Sequence, residues 1–331
     1  MTHCTLKSFY KLLCNNLWSG LSVRMLSVYK PRLMKILQGG APKCGNFWLY
    51  QIIQHILRQS GHNVQSFIQE QPIYELAKTW DLNYPSQASI DVLDVTDLQY
   101  SYRISSIFRM PVEDISAYIA QTDHIWTHSP ICKRSPELLD LIDKKVYIIR
   151  DPRDRAISAA KYYTSDYMLK YYPQEERDPK RYLEKHYDQL LLEWVWHVYD
   201  HLRLSQSHHI HIALYEGFLL DFQAELTRLL TYLEIGLSEA QREELQEAMS
   251  FATLKTNNPK HLKKGQSGYW MDQLTAEQVA KADIIAGPLI RFLNYPTAST
   301  QPMTYSTQLP HHDFEQLKQE LIASQQPLYQ S

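Results

Sequence analysis

The sequence predicts an α/β fold of three layers, in which a central parallel β-sheet is flanked by helices. Short apolar or β-branched runs alternate along the chain with longer segments of helical periodicity. This alternation is typical of parallel strands joined by crossover helices, and such sheets are covered on both faces. The 331 residues, 44% of them hydrophobic, are enough for a large core, and no linker divides the chain in its middle. We therefore expect one α/β domain with additions at its ends.

The first strand, loop and helix lie between Arg32 and Gly61. An apolar run at 33–37 predicts a buried strand, Gly39-Gly40-Ala41-Pro42 interrupts it, and apolar residues then recur at helical spacing. A strand, a glycine-bearing loop and a helix direct free backbone N–H groups and a helix dipole toward an anion. Because Lys43 lies in this loop, we expect a P-loop-like fold that binds a phosphate-type ligand. The alternative is an ordinary βα turn with an incidental lysine.

The loop differs from the P-loop of nucleoside-triphosphate enzymes. That signature places Ser or Thr directly after the lysine, and the hydroxyl binds magnesium. Here Lys43 precedes Gly45, and no hydroxyl is offered by Cys44, Asn46 or Phe47. The sequence therefore disfavours a magnesium-dependent kinase or ATPase, and we expect no metal.

The middle of the chain supplies further strand ends. Residues 62–120 are rich in aromatic residues and are expected to form core or to line an apolar pocket. A short strand at 124–130 contains His128 and is ended by proline.

A β-branched strand at 145–149 ends at Arg150, where Asp151 and Pro152 are suited to start a helix that contains Ser158. Ligands of such sheets bind at the carboxyl ends of the strands, so Lys43, His128 and Arg150 should meet there. Further segments are predicted as a helix at 183–204, a strand at 210–215, and helices at 218–233 and 238–249.

From Lys255 the chain becomes basic and irregular, with Lys263-Lys264-Gly265 at its centre. Gly265 and Gly268 favour a turn that wraps an anion, and a solvated basic loop is the alternative. Thr275 is suited to cap a further helix.

We expect three parts: an amphipathic N-terminal extension at 1–30, the α/β domain at 31–296, and a mobile tail at 297–331 with a short helix near 314–322. The extension has no apolar run of the roughly 18 residues that a membrane span needs. Contact with a membrane surface is its alternative role. The net charge of −2 gives no global field for nucleic acid. Four cysteines without a CxxC pair are typical of a reduced, cytoplasmic chain.

Four stretches, in the right order, resemble motifs of the cytosolic-type sulfotransferases. These enzymes move a sulfuryl group from 3′-phosphoadenosine-5′-phosphosulfate (PAPS) to an acceptor hydroxyl or amine and release PAP. Residues 41–48 (APKCGNFW) are similar to the family's PKSGTTW loop for the 5′-phosphosulfate, and Thr127-His128 matches its Thr-His pair. Residues 150–158 have the Arg and Ser of its 3′-phosphate element, eight positions apart, and residues 263–270 resemble its RKGxxGDW loop.

The resemblance implies a PAPS-dependent sulfotransferase without a metal, acting on a small-molecule acceptor. It implies that His128 is the general base and that Lys43 stabilises the leaving phosphate. The cofactor-binding residues that it implies are Lys43, Cys44, Gly45, Asn46, Phe47, Trp48, Arg150, Ser158, Tyr215, Met249, Ser250, Phe251, Lys263, Lys264 and Gly265.

Two alternative functions stay open at this point. One is a P-loop-type small-molecule kinase, which needs a magnesium site. The other is a degenerate PAPS-fold binding protein without turnover, because Cys44, Asn46 and Phe47 replace the Ser, Thr and Thr of the family loop.

Overall fold

A seven-stranded β-sheet forms the centre of the computed structural model, which describes residues 34–62, 64–257, 267–307 and 313–326. The predicted extension at 1–30 lies outside these residues. The strands are β1 (Ile36–Gly39), β2 (Val92–Val95), β3 (Tyr100–Ile104), β4 (Phe108–Val112), β5 (His124–Thr127), β6 (Lys144–Ile149) and β7 (Ile210–Leu214).

The strand order is β4-β3-β2-β5-β1-β6-β7. Strand β1 lies between β5 and β6 and is parallel to both, β7 is parallel to β6, and β2 is parallel to β5. Strand β1 therefore has a parallel neighbour on each side. Sheets of this kind open a ligand-binding crevice at the carboxyl end of such a strand. A mostly parallel sheet flanked by helices confirms the predicted fold class.

The helices follow local signals in the sequence. The side chain of Asp151 caps one helix, and Pro179 begins the long helix that was predicted at 183–204. Thr275 and Gln278 form a capping box. The helices are α1 (Asn46–Gln59), α2 (Ile73–Ala77), α3 (Ile115–Ala120), α4 (Ser135–Leu141), α5 (Pro152–Tyr163), α6 (Asp166–Tyr171), α7 (Pro179–Ser205), α8 (Tyr215–Leu220), α9 (Phe222–Leu233), α10 (Glu239–Ala248), α11 (Phe251–Asn257), α12 (Trp270–Gln273), α13 (Ala276–Phe292) and α14 (Phe314–Gln325).

The sheet has an antiparallel extension that the sequence did not predict. Strand β3 runs antiparallel to β2, and β4 runs antiparallel to β3 at the edge of the sheet. Pro111 lies in β4, where an edge strand tolerates the missing N–H. This extension carries the region at 92–112 alongside the parallel strands.

The C-terminal helix α14 packs against the domain. Leu317 and Leu321 are buried. The hydroxyl of Tyr199 donates to the carbonyl of Phe314 at 2.8 Å, and the side-chain amide of Gln325 donates to the carbonyl of Ile285. The predicted short helix in the tail is therefore present and anchored. No helix within the described ranges is both long and apolar enough to cross a membrane.

Candidate active site

The loop between β1 and α1 is held in a tight backbone conformation. Lys43 and Gly45 both have positive φ, 73° and 96°. A Cβ on Gly45 would lie 2.5 Å from Cδ2 of Tyr215, so only glycine fits this position without a shift. The first turn of α1, which follows directly, contains no acidic residue. The N–H groups of this turn and the helix dipole thus form a site suited to an anion.

Three residues that replace hydroxyl residues of the family loop are buried, namely Cys44, Asn46 and Phe47. Cys44 is fully buried, which raises the pKa of its thiol to about 11. The side-chain amide of Asn46 donates to the carbonyl of Ala41 at 2.9 Å, and the backbone carbonyl of Asn46 accepts from the side-chain amide of Gln38. Phe47 packs on Tyr84, with ring centroids 4.4 Å apart. Cys44 and Asn46 therefore stabilise the loop, and its backbone N–H groups are the candidates to bind an anion.

The loop opens into a cavity of about 920 Å³. The ammonium of Lys43 lies 4.1 Å from the ring centroid of Tyr162 in the cavity wall. The ends of the three central strands meet here, as expected. Of the residues predicted for the site, those that line the cavity are Lys43, Gly45, Asn46, Phe47, Trp48, His128, Arg150, Ser158 and Tyr215.

Arg150 and Ser158 both line the cavity. Arg150, at the end of β6, is buried, and its guanidinium carbon lies 4.3 Å from the ring centroid of Tyr215. Ser158 is two turns into α5. A fixed guanidinium and a hydroxyl that line the same cavity are suited to a phosphate.

Trp48 closes the interior side of the same region. Its indole donates to the carbonyl of Met249 at 3.0 Å, and its ring meets that of Tyr215 edge-on. Met249 and Ser250 do not line the cavity, and the hydroxyl of Ser250 contacts that of Thr253. The side chain of Phe251 and residues Lys263, Lys264 and Gly265 lie outside what the structure describes.

Asp154 joins two of the predicted motifs. Its carboxylate accepts from the N–H groups of Gly268 at 2.6 Å and Trp270 at 2.9 Å. The Trp270 ring lies 3.5 Å from the guanidinium carbon of Arg153. The start of α5 thus fixes the segment that follows the basic loop, and Tyr269 of this segment lines the cavity.

His128 is oriented by a backbone contact. Its Nδ1 lies 2.8 Å from the carbonyl oxygen of Gly40. A carbonyl only accepts, so Nδ1 carries the proton and Nε2 holds the free electron pair. Burial lowers the pKa of His128 to about 3, and the positive charge of Arg103 adds to this effect. The imidazole is therefore neutral at pH 7, the form in which it can accept a proton.

A second histidine supports this segment. Nε2 of His197 donates to the carbonyl of His128 at 3.1 Å, and Nδ1 accepts from the Tyr147 hydroxyl at 2.6 Å. The Tyr147 ring stacks on His201, with centroids 4.0 Å apart. Sequence reasoning missed these contacts; the spacing of His197 and His201 on one face of α7 was the available signal.

These histidines predict a loss of stability in acid. Burial lowers the pKa of His124 to about 3 and that of His197 to about 4, and it lowers the pKa of His201 in the same direction. The unfolded chain binds a proton on each histidine below about pH 6.5, whereas the folded protein does not. The free energy of unfolding therefore falls as pH drops below 6.5, by about 2 kcal/mol per histidine at pH 5.

Urea unfolding at pH 7 and pH 5 checks this prediction. Burial raises the pKa of Asp91 to about 6 and that of Glu216 to about 7. Protonation of these two carboxyls favours the folded protein in the same pH range and offsets part of the loss of stability that the histidines cause. His201→Phe keeps a ring against Tyr147 and removes one titrating group. We expect it to reduce the loss of unfolding free energy in acid, because a histidine whose pKa is lowered by burial no longer titrates. An unchanged loss would show that His201 does not contribute.

Comparison with known proteins gives one consistent result. The model of the sulfotransferase domain family matches residues 34–296. The chain is 23% identical over 267 residues to the amine sulfotransferase of Oryctolagus cuniculus, covering 74% of this chain and 76% of the relative. It is 26% identical over 197 residues to sulfotransferase 1A1 of Bos taurus, covering 53% of this chain and 64% of the relative.

Solved structures share the fold at 19% sequence identity. One is a retinol dehydratase in complex with androsterone and PAP, with a TM-score of 0.52 over 76% of this chain and 79% of the other. Another is a mouse sulfotransferase complexed with PAP, with a TM-score of 0.52 over 78% and 84% of the two chains.

Proposed function

The chain belongs to the sulfotransferase domain family, and on that premise we propose that it sulfates a hydroxyl or amine of a small acceptor held beside His128. Family membership makes it a PAPS-dependent sulfotransferase. The observation that carries the proposal is the single cavity that both the Lys43 loop and His128 line. The free thiols of Cys44 and Cys132 support a reducing, cytoplasmic location.

The residues present fit PAPS. The cavity is lined by the cations Lys43, Arg150 and Lys161 and by the hydroxyl of Ser158. Gly45 packs so closely against Tyr215 that a Cβ would clash, and its left-handed backbone leads directly into α1, whose first N–H groups can bind a phosphate. PAPS supplies an activated sulfuryl group on a phosphate leaving group. Lys43 and the N–H groups of α1 would hold the 5′ side, and Arg150 with Ser158 would hold the 3′-phosphate.

His128 would remove the acceptor's proton at Nε2. The contact of Nδ1 with Gly40 fixes the tautomer that this role needs. The imidazolium that results is favoured by negative charge beside it, so phosphates in the loop raise the pKa of His128 from its low value toward neutrality. Lys43 would stabilise the charge that develops on the leaving phosphate oxygen, as in phosphoryl transfer.

The acceptor end of the cavity has aromatic and aliphatic walls. Phe47, Tyr84, Ile90, Trp126 and Met168 line it. Two of the neighbouring structures are of retinol dehydratase, one in complex with androsterone and one in complex with retinol. A small apolar body that bears a hydroxyl or an amine fits these walls.

Nucleotide binding tests the proposal against a kinase. Calorimetry of the full chain should show PAP binding far more tightly than ATP with magnesium, because Arg150 and Ser158 would read the 3′-phosphate that ATP lacks. Tighter binding of ATP with magnesium, together with phosphate transfer to any acceptor, would support the kinase.

Gly45→Ala is expected to weaken PAP binding by roughly tenfold or more. The Cβ would push on Tyr215, whose ring packs against Trp48 and beneath the Arg150 guanidinium. Gly61→Ala is the matched control, because Gly61 also has positive φ, 79°, but nothing lies within 4 Å of its Cβ position. Both variants carry the backbone strain, and only Gly45→Ala should lose PAP affinity in calorimetry. Equal losses would show that strain alone explains the effect.

A further inference from the structure

Four side chains lie in one row across the sheet and face the cavity. Trp126 on β5 is in register with Val92 on β2, Val92 with Arg103 on β3, and Arg103 with Arg109 on β4. Residues in register on adjacent strands share one face of a sheet. All four line the cavity. The row therefore forms a floor that leads from His128 onto the antiparallel strands β3 and β4.

Asp94 lies between the two arginines and balances one of them. Nε of Arg103 is 3.0 Å from Oδ1 of Asp94, and Nη2 of Arg109 is 2.8 Å from Oδ2. Arg103 also donates to the carbonyl of Ser105 at 2.7 Å. Arg103 and Arg109 lie directly opposite each other, and like charges in this arrangement are destabilising unless they are balanced. The three side chains together carry one excess positive charge.

The geometry leaves donors available for a ligand. Asp94 and Ser105 use Nε and Nη1 of Arg103, and within the part of the chain that the structure describes no hydrogen bond from its Nη2 is found. Contacts on two sides fix the Arg103 guanidinium, so little conformational entropy is lost when it binds an oxyanion.

We propose that the acceptor is a hydroxyl- or amine-bearing acid whose oxyanion, a carboxylate or a sulfate ester, binds Arg103 and Arg109. The term "acceptor" rests on the proposed function, whereas anion binding does not. From β5 to β3 is two strand spacings, about 10 Å. The reacting group lies at His128, the apolar body lies over Trp126 and Val92, and the oxyanion lies at the arginine pair.

Binding to the PAP-loaded full chain tests this inference without turnover. Calorimetry compares each anionic probe with a neutral partner of the same shape. The pairs are 3-(4-hydroxyphenyl)propionate with its methyl ester, lithocholate with its methyl ester, and 2-(4-hydroxyphenyl)ethyl sulfate with the neutral 2-(4-hydroxyphenyl)ethyl methanesulfonate. We expect the anionic member of at least one pair to bind tenfold or more tightly. The carboxylate and sulfate pairs show which oxyanion is preferred.

Two variants and a control locate the effect. Arg109→Glu changes a largely exposed side chain and reverses its charge, and Arg103→Gln removes the more buried guanidinium. Both should abolish the preference for the anion. Arg291→Gln removes a comparably exposed arginine that pairs with Asp283, and it should keep the preference. PAP affinity, measured in parallel, reports whether each variant is folded.

The outcomes separate this inference from the proposed function. If no anion binds more tightly than its neutral partner, or if the preference survives in both arginine variants, the inference is wrong. Sulfation of neutral phenols in that case would leave the proposed function intact. If anions bind through the arginine pair but PAPS never sulfates any acceptor, the anion site stands and the proposed function fails.

Discussion

His128→Ala is expected to lower kcat by about 10²–10⁴-fold while PAP still binds. The substitution removes Nε2, the group that takes the acceptor's proton, and leaves the loop backbone and Arg150 in place. Steady-state formation of PAP with a phenol acceptor measures kcat, and calorimetry measures the affinity for PAP. The split between the two identifies a group that acts in the chemical step.

His211→Ala is the matched control for this experiment. His211 is another histidine whose pKa is lowered to about 3 by burial, but it lies on β7 and does not line the cavity. Its loss should affect stability and leave kcat near the wild-type value. A folded His128→Ala protein with near-normal kcat would remove His128 from the mechanism.

Arg150→Ala is expected to weaken PAP binding by about 10²-fold, because a charge-assisted hydrogen bond is worth about 1.5–3 kcal/mol. The affinity for AMP, which lacks the 3′-phosphate, should change little. The buried guanidinium is held over Tyr215 and faces the same cavity as Ser158, which is the arrangement a phosphate needs. Calorimetry with both nucleotides gives the comparison.

Arg150→Lys separates charge from geometry. Lysine keeps the positive charge and loses the planar fork, so the affinity for PAP should be intermediate. Retained AMP binding shows that each variant is folded. If PAP and AMP lose affinity equally, Arg150 does not read the 3′-phosphate.

Strands β1, β5, β6 and β7 were predictable because their signals are local, whereas the parallel strand β2 was not predicted. Strand β6 is a β-branched run, and Asp151 and Pro152 start the next helix as expected. Strand β1 was predicted at 33–37 but spans Ile36–Gly39. Its polar Gln38 is buried and bonded to His124 and to the Asn46 carbonyl, a tertiary arrangement that an apolar pattern does not reveal.

The antiparallel extension was not predictable in the same way. Strand β4 contains Pro111 and an exposed Met110, and only its position at the sheet edge makes this acceptable. Some residues of the candidate site were likewise predictable from the sequence and others were not. Lys43, His128 and Arg150 follow from the rule that ligands bind at strand ends. Arg103 and Arg109 reach the cavity only through the register of the extension, which no motif marks.

Mass spectrometry of acceptors incubated with the full chain and PAPS tests the central claim most directly. A panel of phenols, hydroxysteroids, hydroxy acids and amines would be searched for the gain of one sulfuryl group. We expect a sulfated product, formed together with an equal amount of PAP and lost in His128→Ala. PAP binding without a sulfated product from any member of the panel would contradict it and identify a binding protein without turnover.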